Sequence, residues 1–310
     1  PKAEFQSYYG RPVLKPPVWK GDIAGYLFAG GLSAGSALLA AGADLTGRPA
    51  LRRGGRLAAL ATLGASTYLL IHDLGRPDRF YNMLRVAKPT SPMSVGSWIL
   101  AAYGPGVALA AASELMPAGV RRTPVGRLVD GTARPAGLAS ALMAPGVASY
   151  TAVLLSQTAV PAWHEAHTEL PFVFTGSAAA SSGGLGMIAA PVSQAGPARR
   201  FALFGAVLEL AASQRMERRL GLVAEAYHTG EAGRRLRRAK ALTAAGAVGT
   251  LLAGRSRAVA AASGAALVAG SAYLRFGVFE AGVASTKDPK YTVLPQRRRI
   301  EKDGPTRVAD

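Results

Sequence analysis

The sequence contains no cysteine, so it carries no disulfide, no cysteine-ligated iron–sulfur cluster and no thiol chemistry. Charge is scarce as well: Asp, Glu, Lys and Arg make up 17% of 310 residues. Where charge is missing matters more than how much there is. No Lys, Arg, Asp, Glu or His occurs in 23–43, 89–113, 135–163, 170–198, 241–254 or 258–274. Those runs are 21, 25, 29, 29, 14 and 17 residues long. A helix of about 20 apolar residues crosses the ~30 Å of hydrocarbon in a bilayer. Repeated runs of that length exclude an ordinary soluble enzyme, a disordered chain and a coiled coil. The segment from Pro1 to Lys20 is polar and lacks the apolar stretch of a signal peptide.

What is present fits an all-α integral membrane protein, with 49% hydrophobic residues and 37 glycines. Eight transmembrane helices are expected. They run from about Trp19 to Ala43, Gly55 to Asp73, Ser94 to Glu114, Pro135 to Val160, Leu170 to Ala190, Arg199 to Arg219, Ala239 to Gly254 and Arg257 to Phe276. The last two are short, and seven helices is the competing count. Glu209 interrupts the sixth apolar stretch, so it must face protein or water. Small residues such as Gly31-Leu32-Ser33-Ala34-Gly35 and those between Gly176 and Gly186 allow close helix approach in lipid. Phe28-Ala29-Gly30-Gly31 and Phe174-Thr175-Gly176-Ser177 open similar small-residue runs, consistent with two four-helix bundles or with shared composition alone. The expected division is an extramembrane arm at 1–18, a first bundle at 19–160, a second at 170–276 and a basic extramembrane tail at 277–310.

The net charge is +18. Because the basic residues sit between apolar runs, lipid headgroups and topology explain them better than nucleic acid does. Eight helices put both termini on one side. That side carries 24 Lys and Arg against 12 on the other, which places it in the cytoplasm by the positive-inside rule. The expected location is the plasma membrane, with cytoplasmic termini.

All four histidines and all three tryptophans fall on the side of the termini. An interfacial belt would mark both faces, so one aromatic, titratable face suggests a docking surface or a headgroup pocket. The densest segment is His72-Asp73-Leu74-Gly75-Arg76-Pro77. His72 and Asp73 could relay protons, and Arg76 and Arg79 could stabilise an anionic intermediate. A helix end with snorkelling arginines is the plain alternative. Ser91 to Ser94 reads as a hydroxyl cap opening the third helix. His164 and His167 lie three apart but lack a third ligand, so a partner contact or solvated loop suits them better than a metal. No histidine lies mid-span, so a bis-histidine haem has no ligands and electrons would come from outside the chain.

At these residues the sequence resembles the NrfD-like family, the membrane subunits of polysulfide reductase and related molybdopterin oxidoreductases. The carriers are Tyr26-Leu27-Phe28-Ala29-Gly30-Gly31-Leu32-Ser33-Ala34-Gly35, then His72 to Pro77 with Arg79-Phe80, then Ser91-Pro92-Met93-Ser94 with Gly96-Ser97-Trp98. Tyr150 to Leu155 and Pro161-Ala162-Trp163 continue it. The likeness is good over roughly 19–190 and looser beyond.

The resemblance implies a subunit without haem or iron–sulfur cluster that binds a quinone, menaquinone or ubiquinone, near a docked Fe–S subunit. Electrons would pass between that subunit, a molybdopterin catalytic subunit and the quinone. Tyr150 matches a family tyrosine at the quinone head. Family Asn and His positions fall on Asp22 and Tyr26, where this sequence departs from the pattern. Ser94 and Trp98 join the expected quinone site through their motif. His164, His167, Arg234 and Arg235 are expected to dock the Fe–S partner. A formate dehydrogenase-like complex is the first expectation. A proton- or ion-translocating subunit, for which Asp44, Glu114 and Glu209 would be the acids, and a purely structural anchor are the rivals.

Overall fold

The computed structural model describes residues 14–303. Among these residues the regular structure is helical and no strand occurs. Eight helices have 20 to 33 residues each: α1 Gly21–Leu45, α2 Pro49–His72, α3 Pro92–Leu115, α4 Pro124–Ser156, α5 Leu170–Ala189, α6 Gly196–Leu220, α7 Gly230–Leu252 and α8 Arg257–Lys287. A 3-10 turn, Pro77–Leu84, follows α2, and a further helix, Lys290–Asp303, follows α8.

Successive helices pair as antiparallel hairpins, α1 with α2, α3 with α4, α5 with α6 and α7 with α8. α1 also packs on α4 and α5, and α8 packs on α5. α1 and α5 are therefore central, and their side chains explain why. A Cβ added at Gly35 would lie 2.2 Å from Ser182 Oγ, so α1 and α5 touch almost backbone to backbone. At Gly176 an added Cβ would lie 2.5 Å from the Glu209 backbone nitrogen on α6. Small residues permit this approach, and dispersion between close backbones then holds the helices together.

α1, α3, α4, α5 and α8 are long and apolar enough to cross a membrane. α2 and the 3-10 turn would make a sixth span, bent by 107° at the break between them. α6 and α7 fall outside this set; α6 carries Glu209 and several arginines, and α7 opens on a charged turn. Five or six spans is thus the count that length and composition establish, against the eight expected. The outward faces of α3 and α4 bear exposed Val95, Leu142, Met143 and Val153, which suits contact with lipid.

The helices overrun their charge-free cores. α2 starts at Pro49 rather than Gly55, α4 at Pro124 rather than Pro135, and α7 at Gly230 rather than Ala239; α8 runs on to Lys287. Loss of apolar character marks the edge of hydrocarbon, but backbone hydrogen bonds continue in water while local signals favour them. Thr123 caps α4 by accepting the Gly126 N–H at 3.1 Å. Glu231 pairs with Arg234 and Arg235 one turn later and supports the first turn of α7. Arg234 and Arg235, which the expected helix bounds leave between the sixth and seventh helices, lie within α7. Arg275, just past the last charge-free run, is buried inside α8.

The start of α1 and the end of α8 lie at the same end of the molecule, where Trp19 stacks on Trp163 and Trp163 packs on Phe279. This is called the near end below. At the far end Asp44 and Glu114 are bound by arginines: Arg52 Nε to Glu114 at 2.8 Å, Arg56 Nη1 to Glu114 at 3.0 Å and Arg134 Nε to Asp44 at 3.2 Å. Residues 1–13 of the expected arm and 304–310 of the expected tail lie outside the described residues.

Candidate functional site

A cleft of about 70 Å³ opens at the near end between α1, α2, α3 and α4. Its walls are mostly apolar, with Ile23, Leu70, Met83, Met93, Leu100 and Leu154 among them. Tyr150 from α4 and Asp73 at the end of α2 line it. Tyr26, Trp19 and Ser97 complete the polar and aromatic lining.

Each lining residue is placed by local structure. Asp73 follows the last residue of α2; its backbone N–H still bonds Leu69 O, and Gly75, at φ 68°, then turns the chain out. Its carboxyl accepts the Lys20 backbone N–H at 3.4 Å, which ties the start of α1 to the end of α2. Partial burial raises the Asp73 pKa above the ordinary aspartate value, and the nearby Asp22 charge adds to the rise. Tyr150 lies against α3 at Gly96, where a Cβ would sit 2.1 Å from the ring. Only glycine lets α3 and the Tyr150 ring occupy the same layer. The Tyr150 hydroxyl has no hydrogen-bond partner among the described residues, and it stands where a ligand oxygen could receive it.

His72 and Asp73 do not face each other. His72 Nδ1 lies 2.9 Å from Asp22 Oδ2, on the exposed rim, and its ring stacks on Tyr68. The expected His72–Asp73 pair is therefore three groups, with Asp22 between the rim and the cleft. Arg76 and Arg79 are exposed and do not line the cleft. Ser94 and Trp98 turn to the other face of α3. Ser94 Oγ donates to Val86 O at 2.9 Å and accepts the Lys88 N–H at 2.9 Å, while Trp98 Nε1 donates to Val86 O at 3.4 Å. Both line an outer groove of about 500 Å³ with Leu142, Met143 and Gly146. The hydroxyl cap expected at α3 is Ser91, which accepts the Ser94 N–H at 3.4 Å.

His164 and His167 are exposed at the near end, and their Nδ1 atoms meet the backbone oxygens of Ser156 and His164, both at 3.0 Å. Arg234 and Arg235 lie on the first turns of α7. Arg235 is held by Glu280 at 3.1 Å and lies over the Phe276 ring. Among the described residues no three His, Cys, Asp or Glu side chains gather as a metal site. Trp163 is core rather than surface: it is fully buried and donates Nε1–H to Val278 O at 2.8 Å. Sequence reasoning missed Trp19, Ser97 and Met93 as lining residues. Ser97 and Met93 belong to the quoted Ser-x-Met-Ser and Gly-Ser-Trp motifs, and helical spacing put them, not Ser94 and Trp98, on the inner face.

The chain is thus a multi-pass helical membrane protein with a cleft at one end that Tyr150 and Asp73 line. It belongs to the NrfD polysulphide reductase family, whose pattern it matches over residues 13–200. It is also 33% identical over 182 residues to the C subunit of polysulfide reductase from Wolinella succinogenes. That match covers 54% of this chain and 57% of the relative, so little more than half the relative's length is represented. The family match takes in the whole cleft and ends near the start of α6.

Proposed function

We propose that the chain is the quinone-reactive membrane anchor of a multisubunit oxidoreductase, with the quinone head in the near-end cleft. The observation that carries this reading is that Tyr150 and Asp73 line one mostly apolar cleft in a member of the NrfD family. The donor set fits the group: an apolar slot for a ring, a phenolic donor and a carboxyl for its oxygens. When bound, a quinone supplies a carrier for two electrons and two protons. Tyr150 donates its O–H to one ring oxygen and fixes the ring's position. Asp73, whose hold on a proton burial strengthens, delivers one, and Asp22 and His72 refill it from the rim. Arg76 contributes positive potential at the mouth rather than contact.

In this reading all eight helices cross the membrane, α1–α4 and α5–α8 forming the two bundles. The termini and the near end face the cytoplasm at the plasma membrane. The near end receives an Fe–S subunit through His164, His167, Arg234 and Arg235, and that subunit connects to a molybdopterin subunit. Substrate chemistry resides there; formate is the donor to test first, and polysulfide, after the relative's name, the second.

The test uses the assembled complex. Tyr150→Phe removes one hydroxyl, and losing a hydrogen bond to developing charge costs about 1.5–3 kcal/mol, or roughly ten- to a hundredfold in quinone turnover. Asp73→Asn slows proton delivery more than binding. Both variants retain oxidation of the donor with a soluble dye. Normal quinone turnover in the Tyr150→Phe, Asp73→Asn double variant overturns the assignment.

A further inference from the structure

We propose that Glu209 is the buried end of a proton-carrying file that enters α5–α8 from the near end. The inference goes beyond the quinone reading and does not rest on it. Glu209 lies near the middle of α6 and is 1% exposed. Its Oε1 accepts the Thr243 hydroxyl of α7 at 2.9 Å, while Oε2 has no partner among the described residues. Arg275 of α8, also 1% exposed, interacts with it electrostatically. Arg275 Nη2 donates to Phe174 O at 2.7 Å and the guanidinium lies 3.6 Å over the Phe174 ring. Its Nε and Nη1 are buried without protein partners among the described residues.

A carboxylate and a guanidinium locked together for stability would satisfy one another's hydrogen-bonding atoms, because an unpaired buried polar group is expensive. Here three such atoms stay unsatisfied in one place. Mobile protons and the water that carries them meet that need.

A route leads in. Glu209, Ser213 and Glu217 are spaced four apart, so they share one face of α6 with a rise of about 6 Å per step. Exposure grows along it: 1% at Glu209, 3% at Ser213 and 16% for the Glu217 side chain. Glu217 meets Lys240 Nζ at 2.6 Å and His228 Nε2 at 3.7 Å at the near-end surface. A proton taken up at Glu217 passes through the Ser213 hydroxyl and intervening water to Glu209, and leaves by the same steps reversed. The groups that face Glu209 are Ser177 from α5, Thr243 from α7 and Arg275 from α8. The charged residues of α1 are Asp22 and Asp44 at its two ends, and Gly31 is what α1 presents to Arg275.

The test is infrared difference spectroscopy on the full chain in membranes, acid buffer minus alkaline, then transfer to heavy water. A titrating carboxyl band that disappears in Glu209→Gln supports the proposal, and a spectrum unchanged by that substitution overturns it. Should Glu209→Gln not fold, the shape-conserving Thr243→Val decides: removing the hydroxyl donor shifts a titrating carboxyl band, and no shift overturns the proposal. Ser213→Val slows deuteration of the same band severalfold. Unchanged deuteration there overturns the route through Ser213. None of these readouts requires a quinone, so their failure is distinct from failure of the cleft assignment.

Discussion

The two halves of the chain keep their charge in different places. In α1–α4 it stays at the ends: Asp22, His72 and Asp73 at the near end, and Asp44, Arg52, Arg56 and Glu114 at the far end. The interior there holds hydroxyls, such as Ser33 and Tyr103, 2.9 Å apart. In α5–α8 an acid and a guanidinium are sunk into the middle. Desolvating a charge is costly, so a protein accepts it where the charge is used. In the proposed function the first half exchanges protons with a ligand at its rim, which needs a cleft. In the second half Glu209 and Arg275 are each 1% exposed, a degree of burial that suits exchange with nothing larger than a proton or water. The match to the NrfD pattern covers the first kind of site and stops before the second.

If the halves are separable, damage to their seam should be the most severe change. Trp163 is that seam, stacked on Trp19 of the cleft at 6.0 Å and packed against Phe279 of α8 at 5.6 Å. Trp163→Ala leaves a large cavity and removes the Nε1–H bond to Val278 O, at a cost of about 3–5 kcal/mol. Thermal unfolding of the detergent-solubilised chain measures it. Loss of quinone affinity together with stability would show that the seam also shapes the cleft through Trp19.

Gly96→Ala acts on one half alone. The new Cβ would lie 2.1 Å from the Tyr150 ring, so α3 or the ring must shift. Overpacking of this kind costs about 1–3 kcal/mol. Quinone turnover should fall further than stability does, and dye-linked turnover should not change. Equal losses in both assays would mean that Tyr150 is packing and nothing more.

The sequence made the helical class legible, because charge-free runs of membrane length have few other uses. The glycines of α1 and α5 marked helices that others approach closely, but not that these two lie at the centre. Helix ends were less legible, since the edge of hydrocarbon and the end of backbone hydrogen bonding are separate events; α7 starts at Gly230 rather than Ala239, in a charged turn where Glu231 meets Arg234 and Arg235. In the site, Asp73 was legible from the charged segment that ends α2, while Tyr150 was singled out through the family resemblance. Ser94 and Trp98 were not, because a motif names neighbours in sequence while a helix sends neighbours to opposite faces. Whether His72 met Asp73 or Asp22 depended on how α1 crosses α2, which no local pattern encodes. Arg275 ends a charge-free run, as an interfacial residue would, and is among the most buried side chains of the molecule.

Glu169 offers a smaller, pH-dependent contrast between the halves. It occupies the position just before α5, and Arg219 grips it through Nε at 2.8 Å and Nη2 at 2.7 Å. These bonds hold its carboxyl below the ordinary glutamate value. The folded state therefore binds this proton less readily than the unfolded chain. The stabilisation is complete above the unfolded glutamate value, about 4.3, and is lost as pH falls through the lower folded one. Asp73 behaves oppositely: its raised value makes its contribution fall as pH rises through the folded value. Glu169→Gln should cost about 1–3 kcal/mol near neutrality and flatten the acid limb of unfolding midpoint against pH. Asp73→Asn should leave that limb intact.

The smallest expected change in the chain itself comes from Arg234 and Arg235, and for that reason it discriminates best. Their ion pairs with Glu231 lie on the surface of α7, where such pairs contribute little to folding. Arg234→Gln with Arg235→Gln should leave unfolding of the isolated chain unchanged. Docking is another matter. Surface charges steer association over a distance comparable with the screening length, so removing two of them at an interface slows capture roughly tenfold at low salt. The loss should shrink as salt rises, because screening already removes the same attraction from the unaltered chain. Co-purification of the Fe–S partner at graded salt reads this directly. A partner retained equally by both proteins at every salt concentration would move the docking surface away from α7, towards His164 and His167 or the helix Lys290–Asp303. A partner lost equally at every salt concentration would point instead to Arg235 as a packed contact, through its place over Phe276 and beside Glu280.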